Sequence, residues 1–188
     1  MVRESACQCY LLAAGRGRRA GGAKAWRDCD GMPLLARQLE FLGGILPLER
    51  VAVSIQADWI ERCGSLSPRA HWVVVDPDAP ALDSVLALAR ALPLDRWTYL
   101  YHVDMRVWEP GIFELLAQGI PAAEAVGNEA LIPVQGGRGG HPVLLSPGLK
   151  TALAALDPSR DRLDVWLRSR RAAQAQVPYP CIHDNWNT

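Results

Sequence analysis

The chain has 188 residues, 49% hydrophobic and 21% charged, with 20 basic side chains balancing 20 acidic ones. That length and composition predict one globular domain and exclude wholesale disorder. A formal net charge of +0 supplies no bulk field to draw nucleic acid or an anionic membrane, and no apolar run reaches the ~18 residues of a membrane span.

Neither nucleic acid nor a membrane is therefore expected as a partner. Residues 1–8 carry Arg3 and Glu4 and lack the apolar stretch of a signal peptide. The five cysteines, at 7, 9, 29, 63 and 181, match no zinc or redox spacing, so reduced thiols and a cytoplasmic location are expected.

In chain order, residues 9–14 form an apolar run that ends at Gly15, a buried strand running into a glycine loop. Pro33 opens a helix in which Leu34, Leu35, Gln38, Leu39 and Leu42 recur at helical spacing, and Gly43-Gly44 stop it. Residues 51–55 read as a strand, 57–63 as a short helix, and 72–75 as a strand ending at Asp76. A helix over 81–92 stops at Pro93. A strand over 97–101 delivers His102, Val103 and Asp104, and a helix follows over 111–118. This alternation predicts an α/β fold whose mostly parallel central sheet is covered on both faces. In the last third, 130–134 and 142–145 read as strands around the glycine loop 136–140, an antiparallel element. Helices near 149–156 and 162–170 and a late strand over 175–179 complete the chain, with no internal repeat or linker.

Parallel α/β sheets bind ligands beyond the carboxyl ends of their strands, which is where the loop 15–24 lies. Its glycines at 15, 17, 21 and 22 permit tight turns and let backbone N–H groups approach an anion. Arg16, Arg18, Arg19 and Lys24 add cationic side chains with no acid among them. The loop is not a Walker loop, because Lys24 lies between two alanines. It is not a dinucleotide fingerprint either, because Ala20 occupies the third glycine position. A basic surface turn is the alternative reading.

The segment Leu12-Ala13-Ala14-Gly15 through Arg19 to Lys24, followed by Gly31-Met32-Pro33-Leu34-Leu35, resembles the signature L-A-A-G-x-x-x-R-M-G-x-x-K…G-x-P-L-L. That signature belongs to nucleotidyltransferases that activate sugar phosphates, methylerythritol phosphate and molybdopterin. The segment looks closest to the molybdenum cofactor guanylyl- and cytidylyltransferase branch. Ala20 replaces the usual Met. The resemblance implies a Rossmann-like three-layer α/β/α sandwich and Mg²⁺-dependent transfer of a nucleotide from CTP or GTP to a phosphorylated acceptor, releasing pyrophosphate. Leu12, Ala13, Ala14, Gly15 and Gly17 would line the base and phosphates, and Arg19 and Lys24 would hold the triphosphate. One domain over 1–188 is expected, with a nucleotide-binding half over 1–120 and an acceptor-binding half over 121–188, as a monomer or weak homodimer.

Asp104, at the end of the fourth strand, is the candidate metal ligand, since Mg²⁺ takes hard oxygens and bridges phosphates. The resembling pattern is Gly-Asp-Met-Pro; here Val103 replaces the Gly and Arg106 the Pro. Gln56 and Asp76 fall at strand ends where the family makes polar contacts to base or ribose, with a solvated loop residue as the alternative. Ser84 falls at a serine position the family often keeps ahead of its third helix and is a further nucleotide-binding candidate, or simply a residue in the first turns of that helix. Gly140-His141-Pro142 resembles the Gly-His-Pro block of the cytidylyl branch, so Gly140 and His141 are candidate acceptor-binding residues. Asn185-Trp186-Asn187 resembles the Asn-x-Asn segment of the guanylyl branch, which would make Asn187 a second metal ligand. The two branches point to different bases. Arg160, Arg162, Arg168, Arg170 and Arg171 are further candidates for a phosphorylated acceptor. A sugar phosphate or another phosphorylated alcohol as acceptor, or a non-catalytic nucleotide-binding role, are the competing readings.

Overall fold

The first apolar run forms β1 (Cys7–Leu12), buried from Gln8 onward because parallel strands flank it on both sides. The structure, a computed structural model, describes residues 7–17 and 21–186. After the glycine loop, a two-stranded antiparallel ribbon, β2 (Asp28–Cys29) with β3 (Met32–Pro33), leads into α1 (Leu34–Gly43). The chain continues through β4 (Val51–Ile55), α2 (Ile60–Leu66), β5 (His71–Val74), α3 (Ala81–Ala91) and β6 (Trp97–His102). Then come α4 (Pro110–Gln118), α5 (Ile120–Ala125), β7 (Ala130–Gln135), β8 (Arg138–Gly139) and β9 (Val143–Leu145). The last elements are α6 (Lys150–Ala154), α7 (Leu163–Arg168) and β10 (Ala172–Gln176).

One eight-stranded sheet has the order β10-β7-β9-β6-β1-β4-β5, with β8 paired to β7. β5, β4, β1 and β6 are parallel neighbours, and β10 is parallel to β7. β9 runs antiparallel to both β6 and β7. The sheet is thus mostly parallel with an antiparallel element in the last third, as the sequence predicts.

Alternation along the strands sends side chains into two cores. Cys9, Leu11, Val53 and Ile55 meet Leu35, Leu39 and Leu42 of α1 and Ile112, Phe113 and Leu116 of α4 on one face. Tyr10, Leu12, Ala52 and Leu100 meet Leu82, Val85 and Leu88 of α3, Leu153 of α6 and Trp166 of α7 on the other. Helices therefore cover both faces, giving the three-layer sandwich. The described cysteines are all free, and no described helix is long and apolar enough to cross a membrane.

Three expectations need correction. The late strand lies at Ala172–Gln176 rather than 175–179, in register with β7 from Ala172 against Ala130 to Gln176 against Val134. Pro178 and Pro180 lack the N–H a ladder needs, which stops it there. The helices expected near 149–156 and 162–170 are shorter, at Lys150–Ala154 and Leu163–Arg168. Helix α5 is not among the elements expected from the sequence, which leave residues 119–129 unassigned. Gly119 keeps right-handed helical angles (φ −74°, ψ −13°), and Pro121 sits in the first turn, where its missing N–H costs nothing.

The chain passes from β1 to β4 and β5 on one side, then returns to β6 on the other. Strand order therefore reverses at β1, and a crevice opens beyond the carboxyl ends of β4, β1 and β6.

Candidate active site

Two side chains secure the backbone where β1 leaves the sheet. The Ala13 N–H donates to Ser54 Oγ (3.1 Å), and Gln56 Nε2 donates to the Ala14 carbonyl (2.9 Å). Both partners come from the end of β4, so the loop starts from a fixed point. Gly17 takes φ +61°, and its carbonyl accepts the Gly22 N–H at 3.2 Å. A Cβ on Gly17 would run into the Gly22 carbonyl, so this turn requires glycine. Lys24 follows, and its Nζ lies 2.6 Å from Asp104 Oδ2.

Asp104 is presented by a turn after β6 that is tied down from two sides. Gln38 of α1, fully buried, donates Nε2 to the carbonyls of Val103 (2.9 Å) and Met105 (2.7 Å), and its Oε1 accepts the Trp108 indole N–H (3.0 Å). The Tyr101 hydroxyl also donates to the Met105 carbonyl, at 2.8 Å. From the other side, the Trp186 N–H donates to the Asp104 carbonyl (2.7 Å) and the Arg106 N–H to the Asp184 carbonyl (3.1 Å). Each buried carbonyl of the turn thereby has a donor, as low-dielectric surroundings demand.

Two cavities meet beside this turn. The first, about 300 Å³, is walled by residues 12–15, Gly17 and Lys24, by Ser54, by Asp76 and the loop into α3, by Ser84, and by residues 102–104. The first turn of α3 borders it at Ala81 and Ser84, with the acidic Asp83 between them in sequence. The second, about 760 Å³, lies between α3, β6, β9 and residues 158–168. Its wall is apolar at Leu82, Leu100, Val143, Leu163 and Leu167 and charged at Arg160, Arg162, Arg168, Asp161 and Asp164, with Arg162 and Arg168 paired to Asp164 and Arg160 to Asp157. Ala81 and His102 line both cavities.

The His102 and His141 rings meet edge to face, with centroids 5.3 Å apart. Burial lowers the pKa of both. For His141 the value falls to about 4, with His102 contributing further and Asp104 opposing. Both imidazoles are neutral near pH 7, and His141 Nδ1 is buried with no hydrogen-bond partner among the described residues.

Of the candidates from sequence, Leu12, Ala13, Ala14, Gly15, Gly17, Lys24, Asp76, Ser84 and Asp104 line the first cavity, and His141 lines the second. Gln56 acts one step back, through Ala14. Gly140 lines neither cavity; a Cβ there would meet the Ile182 carbonyl at 2.5 Å, so its close neighbour is Ile182. Arg170 and Arg171 also lie off both walls: the Arg170 guanidinium pairs with Glu129, and the Arg171 backbone N–H donates to the same carboxylate. Arg19 and Asn187 lie outside the described residues. Sequence reasoning missed Ser54, Gln38 and a site for His102. Ser54 and Gln38 had a signal: each is a lone polar residue in an otherwise apolar strand or helix face.

The residues present fit a divalent cation that arrives with its ligand. Among the described residues no cluster of three or more His, Cys, Asp or Glu could cage a metal. Asp104 offers one carboxylate, 18% exposed, at the cavity rim. One carboxylate completed by water and phosphate oxygens is how Mg²⁺ is commonly held.

Solved structures share this architecture. Rv0371c from Mycobacterium tuberculosis H37Rv is 19% identical with a TM-score of 0.73, over 97% of this chain and 95% of that one; it has also been crystallised with manganese. Molybdopterin-guanine dinucleotide biosynthesis protein A from Archaeoglobus fulgidus is 17% identical with a TM-score of 0.64, over 90% and 83%. The bifunctional IspDF of Campylobacter jejuni is 13% identical with a TM-score of 0.72, over 96% of this chain and 52% of that one. A search of the curated proteins finds no match. The family model for the MobA-like NTP transferase domain matches residues 9–176, and the chain belongs to that family.

Proposed function

We propose that the chain transfers a nucleoside monophosphate from CTP or GTP to a phosphorylated acceptor of molybdopterin type, releasing pyrophosphate. The observation that carries this reading is the junction of two cavities at Ala81 and His102, beside the Lys24–Asp104 pair. A two-substrate transfer needs that geometry, because the reacting atoms must meet while the rest of each substrate is held apart.

An oxygen of the acceptor phosphate attacks the α-phosphorus. The bond from that phosphorus to the α–β bridging oxygen breaks, and its electron pair leaves with pyrophosphate. Charge gathers on the leaving group, where Lys24 and Arg19 oppose it. Lys24, paired with Asp104 here, would turn to the phosphates of an entering triphosphate, and Asp104 with Asn187 would hold Mg²⁺. Bound Mg²⁺ supplies positive charge to the phosphate oxygens. A phosphate monoester is already largely ionised at neutral pH, with its second pKa about 6, so no general base is required. Neutral His102 and His141 orient the acceptor, and Asp76, Ser84 and Gln56 serve the base and ribose end.

The size of the second cavity and its apolar wall support an acceptor with a bulky body over a small sugar phosphate. The A. fulgidus relative's role in molybdopterin-guanine dinucleotide biosynthesis and the manganese bound by Rv0371c support the acceptor class and the divalent cation. The protein acts in the cytoplasm as a monomer or weak homodimer. The test is pyrophosphate release with Mg²⁺, each NTP, and molybdopterin, methylerythritol phosphate or a sugar phosphate. Release from CTP or GTP only with molybdopterin is expected. NTP binding without pyrophosphate under any acceptor would instead make the chain a nucleotide-binding relative without catalysis.

A further inference from the structure

Arg106 stands where the resembling pattern has proline, and its surroundings explain what it does there. Its guanidinium carbon lies 5.2 Å from the Trp108 ring centroid and 5.0 Å from that of Trp186. The Trp108 ring is itself fixed by its N–H bond to Gln38 and carries Arg37 at 5.6 Å. A continuous stack therefore runs from α1 through Trp108 and Arg106 to Trp186.

The segment 184–186 lies across the Asp104 turn. Its backbone attachment is thin: one antiparallel bridge, Met105 with Asn185, made by two bonds, Arg106 N–H to the Asp184 carbonyl and Trp186 N–H to the Asp104 carbonyl. Such exposed bonds open readily unless side chains add to them. Here the Trp186 ring packs on the core beside the turn, and Arg106 links it to Trp108. Cation–π contacts suit this task, since they hold a flat guanidinium between rings without removing it from water.

We propose that Arg106 is a positioning residue: stacked between Trp108 and Trp186, it staples the 184–186 segment over the turn and holds the Asp104 carboxylate ready for a metal–nucleotide complex. This rests on the nucleotidyl-transfer reading above, in which Asp104 meets the cation. Arg106 acts through the turn and touches neither substrate.

The test uses the full-length protein, Mn²⁺ and whichever of CTP or GTP binds more tightly, with no acceptor present. Mn²⁺ affinity is read by the loss of the free-ion paramagnetic resonance signal. Nucleotide affinity is read separately in EDTA, and thermal unfolding checks the fold. Arg106→Gln and Trp186→Ala should each weaken Mn²⁺ binding in the nucleotide complex roughly three- to tenfold. Nucleotide affinity in EDTA should stay as in the wild type. The double variant should lose no more than the worse single one, because both remove the same staple. Arg106→Lys and Trp186→Phe, which keep the cation and the ring, should recover most of the loss. Unchanged Mn²⁺ affinity in Arg106→Gln, additive losses, or an equal loss in EDTA would overturn the proposal. A wild-type protein that binds nucleotide with no response to Mn²⁺ would remove the metal reading itself, and the staple's purpose with it.

Discussion

Lys24 and Asp104, 80 positions apart in the chain, share one hydrogen bond at the rim of the first cavity, with side chains only 17% and 18% exposed. In the proposed reaction, a triphosphate with its cation would take over both partners of this pair. Lys24→Ala removes the positive charge aimed at the leaving group, so kcat/KM for the NTP should fall roughly 10²-fold or more while the fold persists. Kinetics equal to wild type would take Lys24 out of the site. His141 gives a prediction in pH. Its ordinary pKa of 6.5 falls to about 4 in the fold, chiefly through burial. Between those values the unfolded chain binds more protons, so stability is complete above pH 6.5 and declines as pH falls towards 4. The loss approaches roughly 3 kcal/mol for this group, and His102, lowered for the same reason, acts in the same direction. Urea midpoints of His141→Gln should therefore fall less steeply over that window than those of the wild type. Parallel slopes would contradict the assignment.

At the scale of elements, α1 does more than cover the sheet. Gln38 projects from its buried face and holds the Asp104 turn by two backbone carbonyls and one indole. Gln38→Leu leaves the Val103 carbonyl and the Trp108 indole N–H without this partner, while the Met105 carbonyl keeps the Tyr101 hydroxyl, and roughly 1–3 kcal/mol of stability should go for each of the two that no water reaches. Chemical denaturation measures this; a midpoint within error of wild type would mean that the turn is held elsewhere. The apolar content of α1 was legible from the spacing of Leu34, Leu35, Leu39 and Leu42, but Gln38 looked like one more face position, because its partners are 65 and 67 residues away. Strands β1, β4 and β6 were legible as apolar runs, since strands buried on both faces admit little else. β10 was misjudged because Ala172–Gln176 is partly exposed and carries no such run; its pairing with β7 defines it. The loop 15–24 was legible because its glycines and cations act locally. The roles of His102 and Trp186 were not, because each matters only through a partner that the fold brings up to it; Ser54 stood out as a polar residue in an apolar strand, but its bond to Ala13 needed the fold.

On the scale of the whole molecule, the antiparallel β9 joins the first two-thirds of the sheet to the last third. The second cavity takes its wall from both, with Leu82 and Leu100 on one side and Val143 and Leu163 on the other. The proposed acceptor half is thus incomplete without α3 and β6, so a fragment 121–188 should bind no acceptor in a calorimetric titration that detects binding to the intact chain. In the proposed reaction, nucleotide would enter on the β1 and β4 side and acceptor on the β9 side, meeting where β6 ends. The central claim is therefore about which phosphorus moves. It is tested most directly by giving the protein Mg²⁺, molybdopterin and CTP or GTP labelled with ³²P at either the α or the γ position. Label from the α position should appear in the acceptor product and label from the γ position in pyrophosphate; γ label in the acceptor, or α label left in free nucleotide, would contradict the account.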